Sequence, residues 1–334
     1  MNEQASVLEV KNLSKDFITK NFFGKPKQKV SAVSDVSFSL YEKKTFGVVG
    51  ESGCGKSTLA RLIMRLIEAD QGEIIYKDAN LLSLPKAEYK SIRRDIQMVF
   101  QDPFSSLNPK MSLLDNVAFS MWVNGVSPLE GRRIAYKYLD AVGIPRSFAD
   151  RFPQMLSGGQ RQRVAIARAL VLEPKILIAD EAVSALDKSI QAQVLNLFRD
   201  IQEEFSLSVI FISHDLNVVQ LMSDEVMVMY LGMVVEQGSA EQIYNNPAHP
   251  YTQALFKSAP SMDVKEKKLE KFQMLGELPS PLNPPSGCRF RTRCPHAVEA
   301  CALSMPNKVE VDKGHYVACT LYADRTNNQE AAVM

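Results

Sequence analysis

The sequence predicts a parallel α/β core. Three observations carry that prediction. Short apolar runs at 45–49, 176–179 and 208–212 have the length and continuity of strands buried on both faces. Between the last two, Ile190, Val194, Leu197, Phe198 and Ile201 fall on one helical face, so strand, helix and strand alternate. The first run leads straight into a glycine-rich stretch, Gly50-Glu51-Ser52-Gly53-Cys54-Gly55-Lys56-Ser57, and then into a helical pattern.

The remaining elements follow in order. Residues 5–50 read as strands: Val7, Leu8 and Val10 come first, then Val33, Val36, Phe38 and Leu40 alternate with polar residues. Residues 20–27 lie between them and read as a solvated hairpin tip. A helix is expected from Lys56 to about Ile67, and 112–168 is mostly helical in pattern, which suggests an inserted helical subdomain. The apolar stretch from Val226 to Val235 is interrupted by Gly232 and reads as two short strands. Composition changes after about Ser258. A charged run at 265–271 precedes the stiff, extended Leu278-Pro279-Ser280-Pro281-Leu282-Asn283-Pro284-Pro285. Four of the five cysteines follow, so this part reads as a small C-terminal extension.

Bulk properties exclude some classes. The chain has 334 residues, 46% hydrophobic and 23% charged, which excludes wholesale disorder and allows more than one domain. A net charge of +1 gives no electrostatic footprint for nucleic acid, so no such partner is expected. Residues 1–4 show neither a basic nor an apolar leader pattern, and no apolar run approaches the roughly 18 residues of a membrane span. The expectation is a cytosolic protein, peripheral if it works at a membrane.

The glycine stretch fits GxxxxGK[ST]. Its glycines let backbone N–H groups face phosphates, and the following helix aims its positive end at the same place. Gly50, Ser52, Gly53, Cys54, Gly55 and Thr58 are candidate phosphate contacts, Lys56 should reach the β- and γ-phosphates, and Ser57 should ligate Mg²⁺. The Cys54 thiol is expected to do no chemistry. Asp180 stands at the carboxyl end of the run at 176–179, where open α/β sheets bind ligands; it can hold Mg²⁺, and Glu181 is placed to polarise an attacking water. Gln101 follows the apolar strand at 96–100 and can touch both Mg²⁺ and that water. His214 ends another strand and can contact the γ-phosphate. Leu156-Ser157-Gly158-Gly159-Gln160 lies about a hundred residues after the loop and about twenty before the acidic pair.

In that order these motifs resemble those of the ABC transporter ATPases, over residues 6–258. The resemblance implies a P-loop NTPase (RecA-like) ABC ATPase core with an antiparallel β subdomain and a helical subdomain at about 102–168. Gly50 to Ser57 or Thr58 matches the Walker A loop, Gln101 the Q-loop, and Leu156 to Gln160 the signature. Asp180 and Glu181 match Walker B, Ser184-Ala185-Leu186-Asp187 the D-loop, and His214 the switch histidine. The family pairs two such domains head to tail. That implies that Ser157, Gly158, Gly159 and Gln160 act on ATP held by a partner, that Glu181 is the general base, and that Phe17 stacks on adenine; the other reading of Phe17 is a core residue at a strand end. Ala182 stands where the family usually has proline, which loosens the backbone restraint without removing a catalytic group.

Ser105-Ser106-Leu107-Asn108-Pro109, His249-Pro250-Tyr251-Thr252 and the extension at 259–325 are similar to the dipeptide/oligopeptide/nickel group of bacterial importers. That likeness implies a heterodimer with a sibling D-type ATPase, two membrane permeases docking on the region after Gln101, and an extracytoplasmic peptide-binding protein. It implies the cytoplasmic face of the inner membrane as the location. The implied function is ATP hydrolysis that powers uptake of dipeptides or oligopeptides; nickel, haem or another small solute is the alternative cargo, and a soluble non-transport ATPase is the alternative from another class. Cys288, Cys294, Cys301 and Cys319 are spaced C-x₅-C-x₆-C-x₁₇-C; four thiolates suit Zn²⁺ or an iron–sulfur cluster, with His296 and His315 as further ligands. The resemblance implies a [4Fe-4S] cluster.

Overall fold

The computed structural model describes residues 5–19, 28–258 and 276–323. The hairpin tip at 20–27, the leader reading of residues 1–4 and the charged run at 265–271 lie outside these residues. Among the described residues, twelve strands form two sheets. They are β1 (Ser6–Thr19), β2 (Gln28–Tyr41), β3 (Thr45–Val49), β4 (Gln71–Tyr76), β5 (Ala79–Asn80), β6 (Ile96–Val99), β7 (Ile176–Asp180), β8 (Ser208–Ser213), β9 (Glu225–Tyr230), β10 (Met233–Ser239), β11 (Val309–Asp312) and β12 (His315–Val317).

The smaller sheet is antiparallel, in the order β2-β1-β4-β5. The larger runs β11-β12-β10-β9-β3-β8-β7-β6. Strands β9, β3, β8, β7 and β6 are parallel, and β3, β7 and β8 are buried along their whole length, as continuous apolar runs require. One core fills the space between the two sheets; Phe38 and Phe46 stack there with centroids 4.4 Å apart. A second core lies on the other face, under the helices Leu113–Val123, Pro128–Ala141, Gly158–Leu170 and Lys188–Glu204. Ser112, Ser127, Ser157 and Asp187 cap these four helices through their side chains, satisfying amides that the helix itself leaves unpaired.

The helix after the glycine loop is shorter than the sequence pattern predicts. It spans Lys56–Ile63 and stops because Arg65 turns into the left-handed region at φ 48°. Tertiary contacts fix that turn: Arg65 donates to the Leu84 carbonyl at 2.7 Å and lies over the Tyr89 ring. The apolar pattern of Leu66 and Ile67 continues past the true end, so local periodicity alone misplaces it.

The C-terminal extension is not a separate tail. Its β12 pairs with β10, Glu236 opposite Val317, and lengthens the main sheet. Buried Glu236 accepts from the Ala248 and His249 N–H groups at 2.7 and 2.9 Å, and its Oε1 lies 2.8 Å from His315 Nε2. His315 is thereby occupied in the sheet and lines no cysteine cavity.

Gly47 is the tightest point of β3. A Cβ there would sit 2.6 Å from Val219 Cγ1 and 2.4 Å from Ser223 Oγ, on the helix Leu216–Met222 and its cap. Glycine in a strand allows this close approach. Gly47→Ala is expected to cost about 1–3 kcal/mol of stability by overpacking. A lower denaturant midpoint with an unchanged slope is the expected reading; an unchanged midpoint would contradict this packing.

Candidate functional site

The site forms where β3, β7 and β8 end. Strand β3 delivers Gly50, and the chain curls through Gly53 and Gly55 at φ 79° and 108° before the helix Lys56–Ile63 begins. At Gly55 the curl is enforced by contact as well as by dihedral, since a Cβ would meet the Ala32 carbonyl oxygen at 2.1 Å. Cys54 is buried, and burial pushes its thiol up from the ordinary value, in keeping with an inert packing role.

Lys56 is buried and folds back over its own loop. Its Nζ donates to the Gly50 carbonyl at 2.8 Å and the Glu51 carbonyl at 3.1 Å, and stands 3.8 Å from Glu181 Oε1. Ser57 donates its hydroxyl to Asp180 Oδ1 at 3.0 Å. Gln101 donates from Nε2 to Glu181 Oε2 at 2.9 Å, and His214 Nδ1 stands 3.4 Å from the same oxygen. Glu181 adopts φ 47°, uncommon for a non-glycine residue, while its N–H is held by the Ile212 carbonyl at 2.9 Å. Residues from six segments thus meet at one cleft, lined by Val30, Ala32, Lys56, Gln101, Glu181 and Pro281 among others. Ser52, Gly53, Gly55, Ser57 and Thr58 also line it. The oxygen donors Ser57, Asp180 and Gln101 suit a hard cation such as Mg²⁺.

Leu156 to Gln160 do not line this cleft. Ser157 caps the helix Gly158–Leu170 in a capping box with Gln160: Gln160 N–H donates to Ser157 Oγ, and Ser157 N–H donates to Gln160 Oε1. Gly159 packs so closely that a Cβ would lie 2.3 Å from Ile190 Cγ2. Ser157 is exposed, leaving a helix N-terminus open to an anion from outside. Phe17 is 40% exposed near the end of β1, opposite Val30, which excludes the core reading.

The four cysteines of the extension line one small cavity with His249, His296 and Arg291. Its volume is about 10 Å³, room for about one water. Burial pushes the thiols of Cys288, Cys294 and Cys319 up, Cys319 to about 11, so these three are neutral near pH 7. Among the described residues no three His, Cys, Asp or Glu side chains come together as a metal-holding group. The donors expected for a cluster therefore converge, but as arranged they form no ligand set, and the [4Fe-4S] expectation finds no support in the geometry. Sequence reasoning missed His249 as a lining residue. Its Nδ1 accepts from the Tyr251 N–H at 3.0 Å, and its buried Nε2 has no partner among the described residues.

Burial raises the Asp180 carboxyl above its ordinary value; Ser57 opposes this and Glu181 adds to it. A carboxyl whose folded pKa lies above its unfolded one costs stability at neutral pH, and the cost fades as pH falls through the folded pKa. Asp180→Asn should therefore raise the melting temperature of the free chain at pH 7, with the gap to wild type narrowing as pH falls. A lower melting temperature at pH 7 would contradict this.

No helix among the described residues is long and apolar enough to cross a membrane. A family model described as "ABC transporter" matches residues 33–184, and one described as "Oligopeptide/dipeptide transporter, C-terminal region" matches 235–301. The chain is 48% identical to the oligopeptide transport ATP-binding protein OppF of Haemophilus influenzae, covering 95% of this chain and 98% of that one. It is 46% identical to the dipeptide transport ATP-binding protein DppF of Escherichia coli, covering 95% and 94%. Among solved structures, it is similar to the ATP-binding cassette MJ0796 in a dimeric post-hydrolysis state with ADP and phosphate. The TM-score there is 0.61 at 31% identity, covering 70% of this chain and 98% of that one.

Proposed function

The chain belongs to the ABC transporter ATP-binding family, in the branch that carries the oligopeptide/dipeptide transporter C-terminal region, and from that premise we propose that it is the ATP-hydrolysing subunit of a bacterial importer of dipeptides or oligopeptides. The observation that carries the reading is the meeting of Lys56, Ser57, Asp180, Glu181 and Gln101 at one cleft. Lys56 donates to two neutral carbonyls. Phosphate oxygens are better partners for an ammonium, so binding exchanges weak acceptors for charged ones. Backbone N–H groups of Ser52 to Thr58 face the same phosphates, and Phe17 stacks on adenine. Ser57, Asp180 and Gln101 would hold Mg²⁺, which would supply charge neutralisation at the phosphates.

Glu181 orients the attacking water and takes its proton. Its carboxylate is steered by the Gln101 amide, and His214, half exposed, is free to swing from Glu181 toward the γ-phosphate. Ser157, Gly158, Gly159 and Gln160 complete the site of a second cassette, since they lie off their own cleft at a helix N-terminus whose Ser157 is exposed. The partner is a sibling D-type ATPase in a heterodimer. The pair drives two membrane permeases fed by an extracytoplasmic peptide-binding protein, at the cytoplasmic face of the inner membrane. Exposed Phe104, Phe119, Val123 and Leu129 lie after Gln101 and suit contact with the permeases. Residues 6–258 form the ATPase unit and 259–325 the extension.

Glu181→Gln should bind MgATP and lose turnover by about 10²-fold or more, since it keeps shape and loses the base. Single-turnover hydrolysis in the assembled transporter checks this; unchanged turnover would remove Glu181 from the role of base. The iron–sulfur reading of Cys288, Cys294, Cys301 and Cys319 stands on donor chemistry alone. A cluster would require these thiols to rearrange, and a brown protein with iron and sulfide after anaerobic purification would support it. A colourless protein with stoichiometric zinc would refute it.

A further inference from the structure

We propose that Arg293 of the C-terminal extension is a positioning residue of the nucleotide site: it grips Glu51 and holds the phosphate loop in its ATP-accepting shape. The inference rests on the reading of that loop as the ATP site. Glu51, second in the loop, is tied at three groups. Its N–H donates to Tyr251 Oη at 2.9 Å, and its carbonyl accepts from Lys56 Nζ at 3.1 Å. Its carboxylate accepts two bonds from Arg293, Nη1 to Oε2 at 2.8 Å and Nη2 to Oε1 at 3.1 Å. Arg293 lies 242 residues further along the chain, 8% exposed, with Glu51 at 23%. A forked, charge-assisted pair in so shielded a place is directional as well as strong.

The loop needs an outside tie because its own glycines leave its backbone soft. The two ties to Glu51 share one support. Phe290, whose carbonyl accepts from the Arg293 N–H at 2.9 Å, is buried against Tyr230 and Tyr251 with centroids 5.3 and 5.4 Å away. Displacing Arg293 frees the Glu51 carboxylate and, with it, the carbonyl that orients Lys56.

A separate set of contacts points the same way. Arg289 of the extension donates to the Leu231 carbonyl and, at 3.2 Å, to Ser34 Oγ. Leu231 and Gly232 line the cleft, and so does Pro281 of the extension itself. The extension therefore braces the loop at Glu51 and at Leu231, whose neighbour Gly232 donates its N–H to the Cys54 carbonyl at 2.8 Å.

The test is equilibrium titration of the full-length chain with MgATP, alongside thermal melting. Arg293→Gln and Glu51→Gln should each weaken MgATP binding about tenfold, and the double variant should bind no more weakly than either single one. Glu51→Gln keeps the shape and one acceptor oxygen for Arg293 but leaves its charge unbalanced, so it should fold with a lowered melting temperature, and it decides the question if Arg293→Gln does not fold. Wild-type affinity in both single variants, with Lys56→Ala losing binding, would overturn the positioning role and leave the ATP-site reading standing. Wild-type affinity in Lys56→Ala would overturn both. Lower melting temperatures with unchanged affinity would assign Arg293 a purely structural role and overturn the proposal.

Discussion

The rest of the structure depends on how the backbone is turned between β3 and the helix that follows it. Strand β3 is buried along its length, so its direction is fixed by neighbours on both edges and both faces. The chain must leave that strand, reverse around a space large enough for phosphate, and enter a helix whose N-terminus points back at the same space. Gly55 satisfies the turn because the Ala32 carbonyl leaves no room for a side chain. Lys56 turns onto the Gly50 and Glu51 carbonyls. Each other member of the cleft is placed relative to that loop: Asp180 through Ser57, Glu181 near Lys56, and Gln101 and His214 through Glu181.

The same geometry supports the proposal that the signature acts on a partner's nucleotide. The helix Gly158–Leu170 is locked against the helix Lys188–Glu204 at Gly159 and Ile190, which leaves no slack to bring Ser157 back to the chain's own loop. Its capping box uses the Ser157 and Gln160 side chains to complete the helix end. An anion delivered from outside would meet a finished, exposed helix N-terminus. One chain thus offers a loop without a signature at one place and a signature without a loop at another.

Much of this was legible in the sequence because the informative residues act locally. The structure brings the loop from Gly50 to Ser57 together with Asp180 and Glu181, as their type and spacing suggest, and continuous apolar runs mark β3, β7 and β8. Legibility failed where distant residues decide. The helix from Lys56 ends at Ile63 because Arg65 reaches Leu84 and Tyr89, contacts that no local period encodes. The cysteine spacing gave the donor chemistry but not its arrangement, since the cavity is shaped by His249 and the strand pairing around it. The Arg293–Glu51 pair spans 242 residues, and an arginine among cysteines gives no sign that it reaches the phosphate loop. Tyr251 first counted only as part of a family mark, and its contact with the Glu51 N–H gives it a physical reason.

The central claim is that this chain holds half of each ATP site. The most direct measurement compares single-turnover MgATP hydrolysis by the isolated chain, at concentrations where sedimentation shows a monomer, with hydrolysis in the assembled transporter. The account predicts that both bind MgATP and that hydrolysis is at least about 10²-fold faster in the assembly, where a partner's signature supplies the missing γ-phosphate contacts. An isolated monomer that hydrolyses ATP as fast as the assembly would contradict it.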